Sequence, residues 1–205
     1  MNDHDPTIFI VDDDPAVRDS LFLLIESEGY AVKTYASAEA FLADQGQESH
    51  GCVVLDLRIP GMDGIRLQEE MARRGILLPI VFLTGYGDIP TSVKAIKAGA
   101  VDFLTKPVTG ADLLRAIATA LALAERKQAD ASRNLDASAR VASLTEREQE
   151  VMKMAIEGLC NKEIAKQLGI SHRTVEIHKA HVMKKAGATN LIELTRIARD
   201  AGIGK

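Results

Sequence analysis

The sequence predicts a chain in two parts: an α/β region whose parallel sheet is covered by helices on both faces, then a small all-α region. Three observations carry this. Residues 1–120 alternate apolar strand-like runs with helical periodicity five times over. Residues 143–205 show helical periodicity alone, and the stretch between them is rich in Ala and charge with few large apolar residues. At 205 residues the chain is also longer than the roughly 100 to 150 typical of one domain.

Taken in order, "TIFIV" (7–11) opens the sheet. In "DDDPAVRDSLFLLIESEG", Val17, Leu21, Leu24 and Ile25 recur at helical spacing and Gly29 supplies the stop. "YAVKTY" alternates as a strand, and "SAEAFLAD" is a short helix opened by a Ser37 cap. "GCVVL" leads to a helix around 64–74, "LPIVFLT" to one around 89–98, and "VDFLT" to one from about Thr109. Near-continuous apolar strands separated by helices belong to a parallel sheet buried on both faces. The division expected is 1–122 for the α/β domain, 123–142 for a partly helical linker, and 143–205 for a helical domain broken at Gly158, Gly169 and Gly187.

Composition narrows the class. The chain is 46% hydrophobic and 26% charged, and its longest apolar candidate, Ala116–Ala124, falls well short of the roughly 18 residues a membrane helix needs. The acidic start "MNDHDPTIFIVDDD" is no secretory signal, so a cytoplasmic protein is expected. Cys52 and Cys160 lack the spacing of a metal site or a disulfide framework, and both are expected as small packing residues. The net charge of −4 hides an asymmetry: residues 1–120 carry −8, residues 121–142 carry +1, and residues 143–205 carry +3. A polyanion is a possible partner for the basic end only.

Ligands of such sheets bind at the carboxyl ends of the strands. Those ends carry Asp12 and Asp13 on the first strand, Asp56 on the third and Thr84 on the fourth, with Lys106 and Pro107 after the fifth. Each has an ordinary explanation as a cap, a turn former, a strand former or a solvated charge. Together, three carboxylates, a hydroxyl and an ammonium converge on one sheet edge. Clustered carboxylates repel, and a hard divalent cation, Mg²⁺ or Mn²⁺, relieves that repulsion. Asp56 is then placed to attack a phosphoryl group as a carboxylate nucleophile. Lys106 and the metal neutralise charge, and Thr84 donates to a phosphoryl oxygen.

"VDDD", "VVLDLRIPGMDG", "FLTGYGD" and "KAGAVDFLTKP" resemble, in order and spacing, the motifs of response-regulator receiver domains of bacterial two-component systems. The resemblance implies a flavodoxin-like (βα)5 fold with Asp56 as phosphoacceptor and Asp12 and Asp13 as its acidic pair. It implies a metal held by Asp13, Asp56 and the backbone carbonyl of Arg58. Thr84 and Lys106 become the phosphate-sensing pair and Phe103 the switch aromatic. The phosphodonor would be a phosphohistidine on a cognate sensor histidine kinase. Ile59 stands where Met is common, and Tyr86 occupies a variable position that influences the lifetime of the phosphoryl group.

In "NKEIAKQLGISHRTVEIHKAHVMKKAG" one helix, with Ile164, Ala165 and Leu168 inward, turns at Gly169–Ser171 into a second. On the second helix Val175, Val182 and Ala186 mark one side. Arg173, Ile177, Ala180 and Lys184 fall roughly 140° to 200° away, with Glu176 near 100°. Such a face suits a DNA major groove, where Ile177 can touch a thymine methyl and Glu176 can accept from a cytosine amine. Lys162, Thr174, Lys179 and Lys185 are expected at phosphates. His178 is expected to be packed, and His172 and His181 to lie at the surface. The segment resembles the LuxR-type helix-turn-helix, and the whole arrangement is similar to the FixJ/NarL group of response regulators.

The expectation is therefore a transcription factor activated by phosphorylation of Asp56. It would form a homodimer through the surface of residues 89–97 and 101–103, bind promoter DNA and engage RNA polymerase. It would not be an enzyme beyond assisting its own phosphorylation and dephosphorylation. The alternatives are a Mg²⁺-dependent phosphohydrolase and a phosphorelay or RNA-binding regulator. Against the first, Arg58 stands two residues after Asp56, where such enzymes keep an acid.

Overall fold

The computed structural model describes residues 6–44, 50–85 and 89–203. Tyr86 and the first five residues lie outside that set. The chain divides into two compact units, 1–127 and 128–205.

The first unit alternates β1 Thr7–Val11, α1 Pro15–Ser27, β2 Ala31–Tyr35, α2 Ala38–Asp44, β3 Gly51–Leu55, α3 Gly64–Arg73, β4 Ile80–Thr84, α4 Ile89–Lys97 and β5 Asp102–Thr105, and then enters α5 Gly110–Ala142. All strand pairs are parallel, in the order β2-β1-β3-β4-β5. Because side chains alternate across a strand, each strand feeds two cores. Phe9, Val11, Val53, Leu55 and Phe82 pack with Phe41, Leu67 and Met71 on one face. Ile8, Ile10, Cys52, Val54, Val81 and Leu83 pack with Leu21, Ile25, Leu113 and Ile117 on the other. Burial on both faces explains why "GCVVL" is apolar without alternation: every residue of β3 is buried. Cys52 is the small packing residue expected, fully buried and its thiol pushed up to about 12 by desolvation.

The order reverses direction between β1 and β3, and a crevice opens outside the carboxyl ends of strands at such a switch point. Asp12 and Asp56 follow directly from those two strands.

The second unit holds the end of α5, then α6 Glu146–Ile156, α7 Asn161–Leu168, α8 His172–Ala186 and α9 Leu191–Asp200. Helix α5 runs unbroken through the stretch read as a linker, and its last turns place Ala137 and Val141 in a core with Met152, Val182, Ala186, Leu194 and Ile197. Val151, Ala155, Ile164 and Val175 form a second cluster. Gly169 ends α7 at φ 65°, a left-handed conformation that favours glycine, and Ser171 caps α8 by accepting from the Thr174 amide at 3.0 Å. Cys160 departs from expectation. It is exposed at the N-cap of α7, a position outside the helix's inward stripe, and its amide donates to Glu163 Oε2 at 2.7 Å.

Candidate functional site

The three acids after β1 have separate duties. Asp14 caps α1, accepting from the Ala16 amide at 2.9 Å, which leaves Asp12 and Asp13 for the crevice. Asp12 is buried and accepts from the Asp14 amide at 3.0 Å, while Arg18 donates to its backbone carbonyl at 2.6 Å. Asp56 is buried as well, its amide donating to the Val11 carbonyl at 2.8 Å and its Oδ1 accepting from the Arg58 amide at 3.1 Å. Carboxylate oxygens of Asp12, Asp13 and Asp56 come within 4.8 Å of one another, with Asp13 on the exposed side.

Lys106 reaches across the sheet edge to join two of them. Its Nζ donates to Asp12 Oδ2 at 2.5 Å and to Asp56 Oδ2 at 2.7 Å. Burial pulls the ammonium towards the neutral form, but its hydrogen bonds to Asp12 and Asp56 outweigh that and hold its pKa above the ordinary lysine value. For Asp12 the balance goes the other way: desolvation raises its pKa despite the bond from Lys106. Lys106 thus offsets two of the three carboxylates. An all-oxygen donor set with surplus negative charge fits a hard divalent ion.

Thr84 is fully buried at the tip of β4, and its carbonyl accepts from the Lys106 amide at 2.8 Å. Phe103 on β5 is half-buried, its ring 6.0 Å from that of Phe82. Gly64 opens α3 where there is space for backbone only. A Cβ there would lie 2.6 Å from the Asp56 carbonyl oxygen and 3.0 Å from the Phe82 ring. Asp63 caps α3 through the Arg66 amide at 2.8 Å, so the turn after Asp56 leads into a helix without covering the carboxylate.

In the second unit α8 presents the face expected of it. Val175, Val182 and Ala186 are buried, and Arg173, Glu176, Ile177, Ala180 and Lys184 are exposed, with Ile177 at 49%. Lys162 is exposed on α7. Three residues expected at phosphates are already engaged: the Thr174 hydroxyl lies 2.8 Å from Ser171 Oγ, Lys179 donates to Asn161 Oδ1 at 2.9 Å, and Lys185 to Glu148 Oε2 at 2.7 Å. Glu148, which sequence reasoning missed, is buried on α6. The sequence does signal it: "TERE" has the spacing of a capping box, and Glu148 shares an inward stripe with Val151, Met152 and Ala155. His178 is half-buried, as expected.

Models of two known families match the chain. The response regulator receiver domain matches residues 8–118, and the bacterial regulatory proteins of the luxR family match residues 142–198. The response regulator protein TmoT of Ectopseudomonas mendocina is 46% identical over 96% of this chain and 90% of its own length. The transcriptional regulatory protein FixJ of Bradyrhizobium diazoefficiens is 45% identical over 96% of both chains. The solved structure of the response regulator StyR superposes with a TM-score of 0.80 at 44% identity, covering 95% of this chain and 98% of that one. No helix among the described residues is long and apolar enough to cross a membrane.

Proposed function

The chain belongs to the response regulators that join a receiver domain to a LuxR-type DNA-binding domain, and on that premise we propose that it is a transcription factor switched by phosphorylation of Asp56. The observation that carries this is the pairing of Asp56 with Lys106 at the mouth of an over-charged acidic crevice. An Asp56 carboxylate oxygen attacks the phosphorus of a phosphohistidine on a sensor histidine kinase. The phosphorus–nitrogen bond breaks, and an acyl phosphate remains on Asp56. Lys106 stays near and donates to a phosphoryl oxygen, and the Thr84 hydroxyl takes a second. When bound, Mg²⁺ or Mn²⁺ adds charge neutralisation at the phosphoryl group; Asp13, Asp56 and the Arg58 carbonyl would hold it.

Movement of Thr84 towards the phosphoryl group leaves room for Phe103 to turn inward, which reshapes the surface of α4 and β5. Val93 and Ile96 are each 45% exposed there, and their burial against a second copy makes the active dimer. A dimer sets two α8 helices on a two-fold related promoter site, and linking them raises DNA affinity. Arg173, Glu176, Ile177, Ala180 and Lys184 read the groove, and Lys162 and Thr174 lie near phosphates. The bound dimer then engages RNA polymerase in the cytoplasm. With Arg58 in place of an acid two residues after Asp56, the receiver turns over no organic phosphate and acts only on its own phosphoryl group.

The test treats the full chain with acetyl phosphate, sequences the DNA fragments it captures, and repeats the capture with Asp56→Asn. Enrichment of a defined site by the wild type alone is expected; equal enrichment by Asp56→Asn would refute the mechanism.

A further inference from the structure

Resting on the reading of α8 as the DNA-reading helix, we propose that Glu148 is its positioning residue, and that Lys185 braces the helix against Glu148 instead of contacting DNA. Glu148 has a side chain only 4% exposed, yet it is ringed by donors. Its Oε2 accepts from Lys185 Nζ at 2.7 Å and from the Thr145 amide at 2.8 Å, and its Oε1 lies 3.6 Å from His181 Nδ1. Thr145 completes a reciprocal capping box by accepting from the Glu148 amide at 3.3 Å. One carboxylate therefore fixes the start of α6 and grips two side chains on the C-terminal half of α8.

A second strut holds the middle of the same helix, where Lys179 reaches the first residue of α7 through Asn161 at 2.9 Å. Sequence reading places both lysines at phosphates, beside a groove face that carries Arg173 and Lys184. The structure separates them. Arg173 and Lys184 have no side-chain partner among the described residues and stand on the exposed face. Lys185 lies about 100° further round the helix than Lys184, on the side facing α6. A lysine whose ammonium closes a buried carboxylate is not free to neutralise a phosphate, because leaving would strand that carboxylate away from water.

Salt dependence distinguishes a brace from a phosphate ligand. Removing one cation that neutralises a phosphate makes the slope of log affinity against log salt shallower by about 0.9. The full chain, treated with acetyl phosphate, is titrated with its captured promoter fragment over a salt series as wild type, Lys162→Met, Lys184→Met, Lys185→Met, Lys185→Arg, Glu148→Gln and the double variant Glu148→Gln/Lys185→Met. Lys162→Met, which removes the exposed lysine of α7 placed near a phosphate, is expected to show the shallower slope. Lys185→Met is expected to keep the wild-type slope while losing affinity at every salt concentration, and Lys185→Arg to keep both. Adding Glu148→Gln to Lys185→Met recovers part of the loss, since the stranded charge is gone.

Should Lys185→Met fail to fold, Glu148→Gln decides alone. It removes a negative charge near DNA and so tightens binding on electrostatics, whereas loss of the brace weakens it; weaker binding is expected and tighter binding overturns the proposal. A slope in Lys185→Met as shallow as that in Lys162→Met, with no recovery in the double variant, overturns it too. If Lys184→Met and Arg173→Ala both bind as the wild type does, the reading of α8 itself falls, and the proposal with it.

Discussion

Each unit of this chain buries carboxylates against a lysine, and the two sites are built to opposite ends. In the receiver, Asp12 and Asp56 share Lys106 with exposed Asp13 close by, and burial raises the pKa of Asp12. In the DNA-binding unit a single carboxylate, Glu148, is saturated by Lys185 and the Thr145 amide, which hold its pKa down to about 2. The first site is short of positive charge, a deficit that a hard divalent cation would relieve. The second has no unmet demand, and its result is rigidity. Charge balance, more than burial or residue type, separates the two sites.

The sharpest way to break that comparison is to remove each lysine. Lys106→Met strands two buried carboxylates, and a loss of about 3 kcal/mol is expected in urea unfolding without divalent ions. Mg²⁺ should restore much of that loss, and Asp13→Ala in the same background should abolish the rescue. Lys185→Met should cost the second unit less, about 2 kcal/mol, because that lysine is 39% exposed and solvent screens part of the pair. Equal losses, or a Mg²⁺ rescue in the second unit, would erase the distinction.

Titration sharpens it with opposite signs. Glu148 is depressed in the folded state, so the stability it contributes is fully present above pH 4.5 and lost as pH falls towards about 2. Asp12 is raised, so protonating it on acidification favours the folded receiver. Lys106 is raised as well; its contribution is present below about pH 10.5 and lost as pH climbs past its folded value. All three tyrosines fall in residues 1–127 and there is no Trp, so tyrosine emission follows the receiver alone while helical circular dichroism follows both units. The helical signal is expected to drop before tyrosine emission in acid, and Glu148→Gln should flatten that early limb. The smallest effect expected is that of Ser171→Ala, about 1 kcal/mol from the lost cap of α8, read as fraying in hydrogen exchange around Arg173.

The receiver site was legible because parallel strands bring their carboxyl ends to one edge, so residues distant in sequence could be lined up by strand number alone. Asp12, Asp56, Thr84 and Lys106 all emerge that way. What the pattern did not reveal is which of three consecutive acids caps α1; that depends on the dihedral angles of Asp14. Helical angle likewise sorted α8 into buried and exposed faces, but could not say that Lys179 and Lys185 have partners on other helices. Gln68 is the plainest gap. The sequence offered no reading of it, and on α3 it is buried, donating to the Ala95 carbonyl at 3.3 Å while its Oε1 has no partner among the described residues.

Gly64 has no side chain to bond anything, but a Cβ there would lie 2.6 Å from the Asp56 carbonyl oxygen, which leaves position 64 no room for a larger residue. In a library of random variants selected for phosphorylation, position 64 should tolerate as little change as position 56, while Ile59 drifts among apolar residues. Sequencing the survivors would show this directly. Invariance near a reactive group then has two sources, chemistry and available volume, and a record of tolerated mutations cannot tell them apart without coordinates.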